Sequence, residues 1–577
     1  MARAKPLSHS CAFEVWAPNC QTLDVISSSG QITPLDRSSS GHFDGEVSGL
    51  SVGDSYHFRL DGDQLRPDPE SRFQPQGVHG PSQIVDPLAY AWRDAQWKGI
   101  SKESLIVYEL HIGTFSPEGT YEGALARLDH ICALGATAIE LLPLAQTPGR
   151  WNWGYDGVNL FAPNHHYGTP EELRKFVDQC HSRGLAVILD VVYNHLGPEG
   201  NYLACYGPYH SRKHKTPWGP ALNFDGNQSG LVREYICQNT LYWLEEFHFD
   251  GLRLDAIRLM SDDSEHHIVH EIAARVSEFA ATKSYPIHLI AEANVFDQDL
   301  LTPPQTGAGY DLLWNDEFTH SFQALTVGQA QVDSRVYQGA NDLEETLNRG
   351  YLYQREADGR SISRTSTPDQ GPLSSLLQGL QTHDQIGNHP EGLRLHQIAS
   401  TRIQMAGAAL FFLHPGIPLL FMGEEFAAPS PFCFFVDFGD EGIRKAVVDG
   451  RKRDYEHHNW TRFVSPLAET TFLSSKLVPV SSGDAVMLAW YQDLIRLRKA
   501  WQQEGLLQES SLTVGCDPEK SFFHLSYEES HHVFVNLGDE PVSLPFLGLQ
   551  PLLQTPQALS KNAQESLSPF SAMISRS

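Results

Sequence analysis

The stretch "GLRLDAIRLM", residues 251–260, decides the reading of this chain. With a strand's period of two, Leu252 and Leu254 point to one side while Arg253 and Asp255 point to the other. A positive and a negative charge on one face of an apolar strand imply that the strand ends at a polar pocket, because unpaired charge is costly to bury. Seven more strand candidates surround this one: 105–115 ("LIVYELHIGTF"), 136–144, 185–195 ("LAVILDVVYNH"), 287–294 ("IHLIAEAN"), 310–317 ("YDLLWNDE"), 379–388 ("GLQTHDQIGN") and 416–425 ("GIPLLFMGEE"). Helical patterns such as "GALARLDHICALG" and "SGLVREYICQNTLYWLEEF" separate most of them, and "TPEELRKFVDQCHSRG" ends in Gly184, a suitable C-cap. Eight such units predict an α/β fold, a (β/α)8 TIM barrel with insertions; a doubly wound open sheet produces the same alternation.

The two ends of the chain have another texture. Short alternating runs, "AFEVWAP", "LDVIS", "HFDGEV" and "SYHFRLDG", predict an N-terminal β-sandwich over 1–95, followed by a proline-rich linker at 66–87 that wraps against its neighbour. The barrel then occupies 96–510, and "FFHLSYEE", "HHVFVNLG" and "PVSLPFLG" predict a small C-terminal β-domain over 511–577. A chain of 577 residues is too long for one core, so several domains are expected. Its 42 basic and 70 acidic residues give a net charge of −28, which argues against nucleic acid and membrane surfaces as partners. The eight cysteines show no C-x-x-C pair and read as reduced structural thiols; with no apolar leader at the N-terminus, a cytoplasmic location is expected. The most apolar segment, 406–426, is interrupted by His414, Pro415, Gly416 and Pro418 and reads as a buried helix, a turn and a strand.

In a barrel, chemistry sits at the C-terminal ends of the strands. Those ends carry Asp190, Asn194 and His195, then Arg253 and Asp255, Glu292, Asp316 and Glu317, His383, Asp384 and Asn388, and Glu424 and Glu425. Singly, such an Asp is a helix cap and such a His is structural. Three carboxylates from strands four, five and seven, Asp255, Glu292 and Asp384, converge only in a built pocket. Zinc spacing and the calcium-loop pattern are both missing, so no metal and no cofactor are expected. Two aromatic loops, "GRWNWGYDG" (149–157) with Trp153 and Tyr155, and "YGPYHSRKHKTPWGP" (206–220), read as exposed and suit stacking on sugar rings; Arg212 to Lys215 reads as a solvated loop face.

With these residues assembled, the sequence resembles the α-amylase superfamily, glycoside hydrolase family thirteen. Its four motifs appear in order as "DVVYNH" (190–195), "GLRLDAI" (251–257), "AEAN" (291–294) and "THDQIGN" (382–388). Longer stretches, among them "TPWGPALNFDG", "LLWNDEFTHS" and "PLLFMGEEFAAPSPFCFFVDF", look like the malto-oligosyltrehalose trehalohydrolases. That resemblance implies cleavage of the α-1,4 bond next to the terminal trehalose of a maltooligosyl trehalose. It implies Asp255 as nucleophile, Glu292 as proton donor and Asp384 as transition-state stabiliser. It also implies Trp153, Tyr155, His195, Arg253, Arg258, His383 and Asn388 around the sugar, and Asp316, Glu317 and His320 on the trehalose side. Arg253 beside Asp255 would favour the ionised nucleophile, while apolar neighbours and nearby anions would raise the pKa of Glu292. The alternatives are a 1,4-α-glucan branching enzyme, which shares the triad, and a non-catalytic glucan-binding barrel.

Overall fold

The computed structural model describes residues 4–329, 331–332, 335–355, 362–365, 371–454, 464–545, 549–560 and 563–577. Eight strands form its centre: β1 (Val107–Leu110), β2 (Ala138–Leu141), β3 (Ala186–Val191), β4 (Gly251–Leu254), β5 (His288–Glu292), β6 (Leu312–Trp314), β7 (Leu376–Gln378) and β8 (Ile417–Phe421). All pair in parallel, and β1 pairs with β8 through Val107 opposite Leu419, so the sheet is a closed barrel rather than an open one.

The period of two explains the interior. Val107, Ala138, Ala186, Ile188, Ile290, Leu312, Leu377, Ile417 and Leu419 form one buried cluster inside the ring. Two residues further along β1, β2, β3 and β5 the inward positions turn polar, Glu109, Glu140, Asp190 and Glu292, and Arg253 lies in the same layer, opposite Asp190 on β4. Gly251 is required at the base of β4, where a Cβ would meet the His288 carbonyl oxygen at 2.3 Å.

Outside the ring, α1 (Pro170–Ser182) starts with a capping box between Thr169 and Glu172 and with proline at its first turn, devices worth about 1 kcal/mol each. It is followed by Gly184 at φ +78°, as its sequence predicts. Every strand is shorter than its pattern, and three of the patterns run into an α-helix. The first stops at Leu110, and Ile112–Phe115 is a helical turn. The sixth stops at Trp314; the Asn315 side chain accepts from the Glu317 amide at 2.9 Å and starts α2 (Asp316–Val327). The seventh lies upstream of its expected position, and "THDQIGN" is a helix instead: Thr382 accepts from the Asp384 amide (3.2 Å) while Gln385 reaches back to the Thr382 amide (2.9 Å), opening α3 (His383–Asn388). At the sixth and seventh strands local capping by a short polar side chain overrides the apolar alternation. Segment 406–426 resolves as α4 (Thr401–Phe412), a turn and β8.

The N-terminal sandwich packs a four-stranded sheet, with Ser10–Trp16 and His42–Ser48 at its centre, on a second sheet built around Leu23–Ser27 and Ser55–Leu60. Phe13 of one meets Tyr56 of the other edge-on at 4.9 Å. The proline-rich segment wraps as expected: Tyr206 donates to the Pro67 carbonyl (2.7 Å), Tyr235 to that of Pro69 (3.0 Å), and Arg72 pairs with Glu246 (2.6 Å). Part of it, Ser82–Gln83, joins the second sheet as a strand beside Ser55–Leu60. A five-stranded C-terminal sheet holds Phe522–Tyr527, His531–Asn536 and Ser571–Arg576; Tyr527 from it donates to the Leu413 carbonyl of the barrel (2.6 Å).

At the N-terminal end of the barrel, residues 92–97 are clamped by buried charge. Asp250, immediately before β4, accepts from the Trp97 indole (2.6 Å), from the Val187 amide (2.8 Å) and from His181 Nε2 (2.9 Å). The other ring nitrogen of His181 and that of His248 both reach Asp94, at 3.1 and 2.7 Å, and the two imidazoles stack on Trp97 and Trp92. These contacts push His181 up to about 9 and hold Asp94 well below the usual carboxylate range.

Candidate active site

The C-terminal ends of β1, β3, β4 and β5, with the start of α3, bring one set of side chains together. Arg253 lies at its centre, buried at 2% exposure with its guanidinium over the Trp314 ring at 4.7 Å. One terminal nitrogen donates to Asp190 and to Asp255, each at 2.8 Å, and the other lies 3.0 Å from Glu292. Asp255 follows the last residue of β4, so it is the strand's end that lets its carboxylate reach forward. Asn194 fixes it from the β3 side, its amide donating to both the carboxylate (2.8 Å) and the carbonyl (2.9 Å) of Asp255. Ala256 then takes a left-handed backbone, φ +41°, costly for a residue with a Cβ, and this turns its amide onto Glu292 at 2.5 Å.

Burial, together with Asp255 and Asp316 nearby, pushes Glu292 up to about 8 despite the Arg253 charge. Burial likewise pushes Asp190 up to about 6. The Tyr155 hydroxyl donates to Asp190 (2.7 Å) and lies 2.8 Å from His383 Nε2; the two rings stack at 5.3 Å. Two carboxylates on one guanidinium, one of them held protonated through neutral pH, can act as a nucleophile and an acid on a single bond.

The remaining expected residues divide. Asp384 is exposed at the mouth, and its carboxylate accepts from Asn388 (2.7 Å), which in turn is held by Arg451 (2.5 Å). His195 is buried at the rim under the exposed Trp218, ring centroids 4.7 Å apart. Asp316 accepts from the Trp314 indole at 3.1 Å, and burial and Asp384 push it up to about 6. Glu317 and His320 sit one layer back: Glu317 is fully buried and bonded by Arg335 (3.0 Å), and His320 packs on Tyr337. Trp153 is 4% exposed and Trp151, Tyr206 and Tyr209 are likewise buried, a correction to the two expected exposed loops, of whose tryptophans and tyrosines only Trp218 is exposed. Trp153 packs beneath Tyr155 and His383, donates to the Cys433 carbonyl, and presses so closely on Gly387 that a Cβ there would meet its ring at 1.9 Å. Arg258 is exposed on the short turn after β4. Glu424 and Glu425 point away from the pocket, to Tyr491 and to Tyr108 and His130.

Sequence reading passed over Glu109, Glu140, Trp314 and Arg335. The signal for the two glutamates was present, since each interrupts an apolar strand as Arg253 does. Arg212 and Lys213 lie exposed on a hairpin strand, His210–Thr216. His214, Asp225 and Asp263 bring three possible ligand atoms within 4.8 Å of one another. There the Lys213 ammonium pairs with both carboxylates, so a side chain takes the place of a cation. The eight cysteines are free, and no helix among the described residues is long and apolar enough to cross a membrane.

Comparisons with known proteins agree with the closed barrel. Residues 81–218 match the family model described as the catalytic domain of alpha amylase. The chain is 38% identical to the malto-oligosyltrehalose trehalohydrolase of Saccharolobus solfataricus over 87% of each sequence. It is 30% identical to a 1,4-alpha-glucan branching enzyme of Leifsonia xyli over 73% of this chain and 59% of that one. A crystal structure from Salmonella typhimurium, provisionally described as an alpha amylase, superposes with a TM-score of 0.87 at 34% identity, covering 100% of this chain and 99% of the other.

Proposed function

The chain belongs to the malto-oligosyltrehalose trehalohydrolases, glycoside hydrolases of trehalose biosynthesis with an α-amylase-type barrel, and on that premise we propose that Asp255 and Glu292 perform a retaining double displacement. The bond cleaved is the α-1,4 bond next to the terminal trehalose of a maltooligosyl trehalose. Asp255 attacks the anomeric carbon as Glu292 gives its proton to the departing glycosidic oxygen, releasing trehalose. Glu292, now a carboxylate, takes a proton from water; the water oxygen attacks the same carbon and displaces Asp255, releasing the shorter maltodextrin.

The observation that carries this reading is the Arg253 fork, which binds Asp255 with one terminal nitrogen and Glu292 with the other. One guanidinium spanning both carboxylates fits the spacing of a retaining pair, about 5–5.5 Å, better than the wider gap that admits a water between them. The proton held on Glu292 fits the acid's role, and Asp384 at the mouth fits the orientation of sugar hydroxyls as positive charge develops. Tyr155 and His195 form the sides of the sugar site, Trp218 is its exposed aromatic edge, and Asp316 faces the trehalose side, with Glu317 and His320 supporting it from behind. A division into sandwich (1–95), barrel (96–510) and C-terminal sheet unit (511–577) accompanies this reading.

Incubating the protein with maltooligosyl trehalose and, separately, with amylose tests it. Free trehalose from the first, with no new α-1,6 branches in the second, is the expected outcome. Branches without trehalose would favour the branching-enzyme reading, which the weaker relative keeps in play.

A further inference from the structure

Glu109 lies inside the barrel on β1, 1% exposed, and no step above uses it. Both of its oxygens face His383: one meets ring Nδ1 in a short hydrogen bond, and the other accepts from the His383 backbone amide at 3.1 Å. Its neighbour in register on β2 is Glu140, equally buried. Two facing buried carboxyls do not both ionise at neutral pH, and burial beside Glu109 pushes Glu140 far above the usual range. Glu140 therefore takes the neutral role, and Glu109 is left to meet a cation.

Donor counting identifies that cation. Tyr155 has one hydroxyl proton, and it goes to Asp190 at 2.7 Å. Asp190 also accepts from Arg253, and an ionised carboxylate accepts only. With its proton committed, the Tyr155 oxygen can engage His383 Nε2 at 2.8 Å only as an acceptor, so Nε2 carries a hydrogen. Nδ1, against the Glu109 carboxylate, carries the other. We propose that Glu109 is a positioning residue that holds His383 as a doubly protonated imidazolium, so that Nε2–H is aimed at Tyr155 and, with substrate bound, is a donor for a hydroxyl of the ring at the cleavage point.

The carboxylates around His383 outnumber the one guanidinium that faces it. Glu109, Asp190 and Asp384 favour the charge; Arg253 opposes it, as does burial against Tyr155 and Trp153. His111, which also feels His383, is pushed down to about 3 by burial, so it stays neutral and leaves the charge on His383. With Glu109 in place His383 is pushed up to about 9. The link to sugar binding rests on the function proposed above, whereas the protonation state does not.

The test uses the full-length protein labelled with 13C at histidine Cε1, the His383 signal being identified by its loss in His383→Asn. In the wild type the signal should be that of an imidazolium between pH 6 and 8; a neutral ring at pH 7 overturns the proposal, with or without any substrate. Glu109→Gln should leave His383 neutral at pH 7.5. In that variant kcat/KM for trehalose release should lie near the wild-type value at pH 5.5, with a loss that deepens by about tenfold per pH unit above the lowered pKa. A loss of the same size at every pH would indicate a merely structural role and overturn the proposal. If Glu109→Gln does not fold, the wild-type titration still decides.

Discussion

The two ends of β4 each carry a buried charge network, and the two networks do opposite things. At the N-terminal end Asp250 and Asp94 face His181, His248 and the Trp97 indole, so acceptors and donors nearly balance and the cluster is closed off by stacked aromatic rings. At the C-terminal end Asp190, Asp255 and Glu292 share a single cation, Arg253, with Asp316 and Asp384 close by, and the excess of carboxylate opens to the mouth. The balanced end pins the segment between sandwich and barrel. The unbalanced end keeps a proton on Glu292 that a fully paired site would release. Stability and chemistry are thus separated along the few residues of one strand.

Substitutions at the two ends should therefore separate cleanly. The largest effect is expected at the open end: Asp255→Asn should lower trehalose release by about 10⁴-fold or more, and Glu292→Gln by about 10²- to 10⁴-fold. Neither variant should unfold at a lower temperature than the wild type, because each replaces a crowded carboxyl by an uncharged amide of the same shape. Near-normal turnover by either pure variant would sink the assignment. At the closed end Asp250→Ala should cost about 3–5 kcal/mol in denaturant unfolding, by stranding a buried cation, with kcat within about twofold. A loss of activity without a loss of stability there would erase the contrast.

The pH responses should also differ. The His181 pKa is higher folded than unfolded, so its contribution to stability is fully present below the unfolded value of about 6.5 and is lost as pH rises through about 9. His181→Gln should flatten unfolding free energy across that window. At the other end kcat/KM should fall above about pH 8 as Glu292 loses its proton; a rate constant flat to pH 9.5 would speak against Glu292 as the acid. The smallest effect is Trp97→Phe, which removes one donor from Asp250 and should cost about 1–3 kcal/mol with activity unchanged.

Much of this was legible in the sequence. Period-two alternation located seven of the eight strands, missing the seventh at Leu376–Gln378, and the same alternation exposed Arg253 as a charge facing inward. It failed where short polar side chains compete for the backbone, at Asn315 and Thr382, and helices began where strands were expected to continue. Glu109 and Glu140 were as visible as Arg253, yet "VYEL" and "AIEL" lie before the strand ends and read as ordinary core. The burial of Trp153 could not be read at all, because it depends on Phe432 and Cys433, which reach it from the loop after β8.

The seam at which β1 meets β8 sets a clock on synthesis. Val107 pairs with a residue made roughly 300 positions later, a delay of about 15–60 s at ordinary rates of translation. His383, the partner of Glu109, arrives only shortly before the seam closes. For most of that interval the sandwich is complete while β1 waits with an unpaired edge and a glutamate facing no cation. A nascent chain halted before β8 would expose both, and would be a natural target for a chaperone that binds open strand edges.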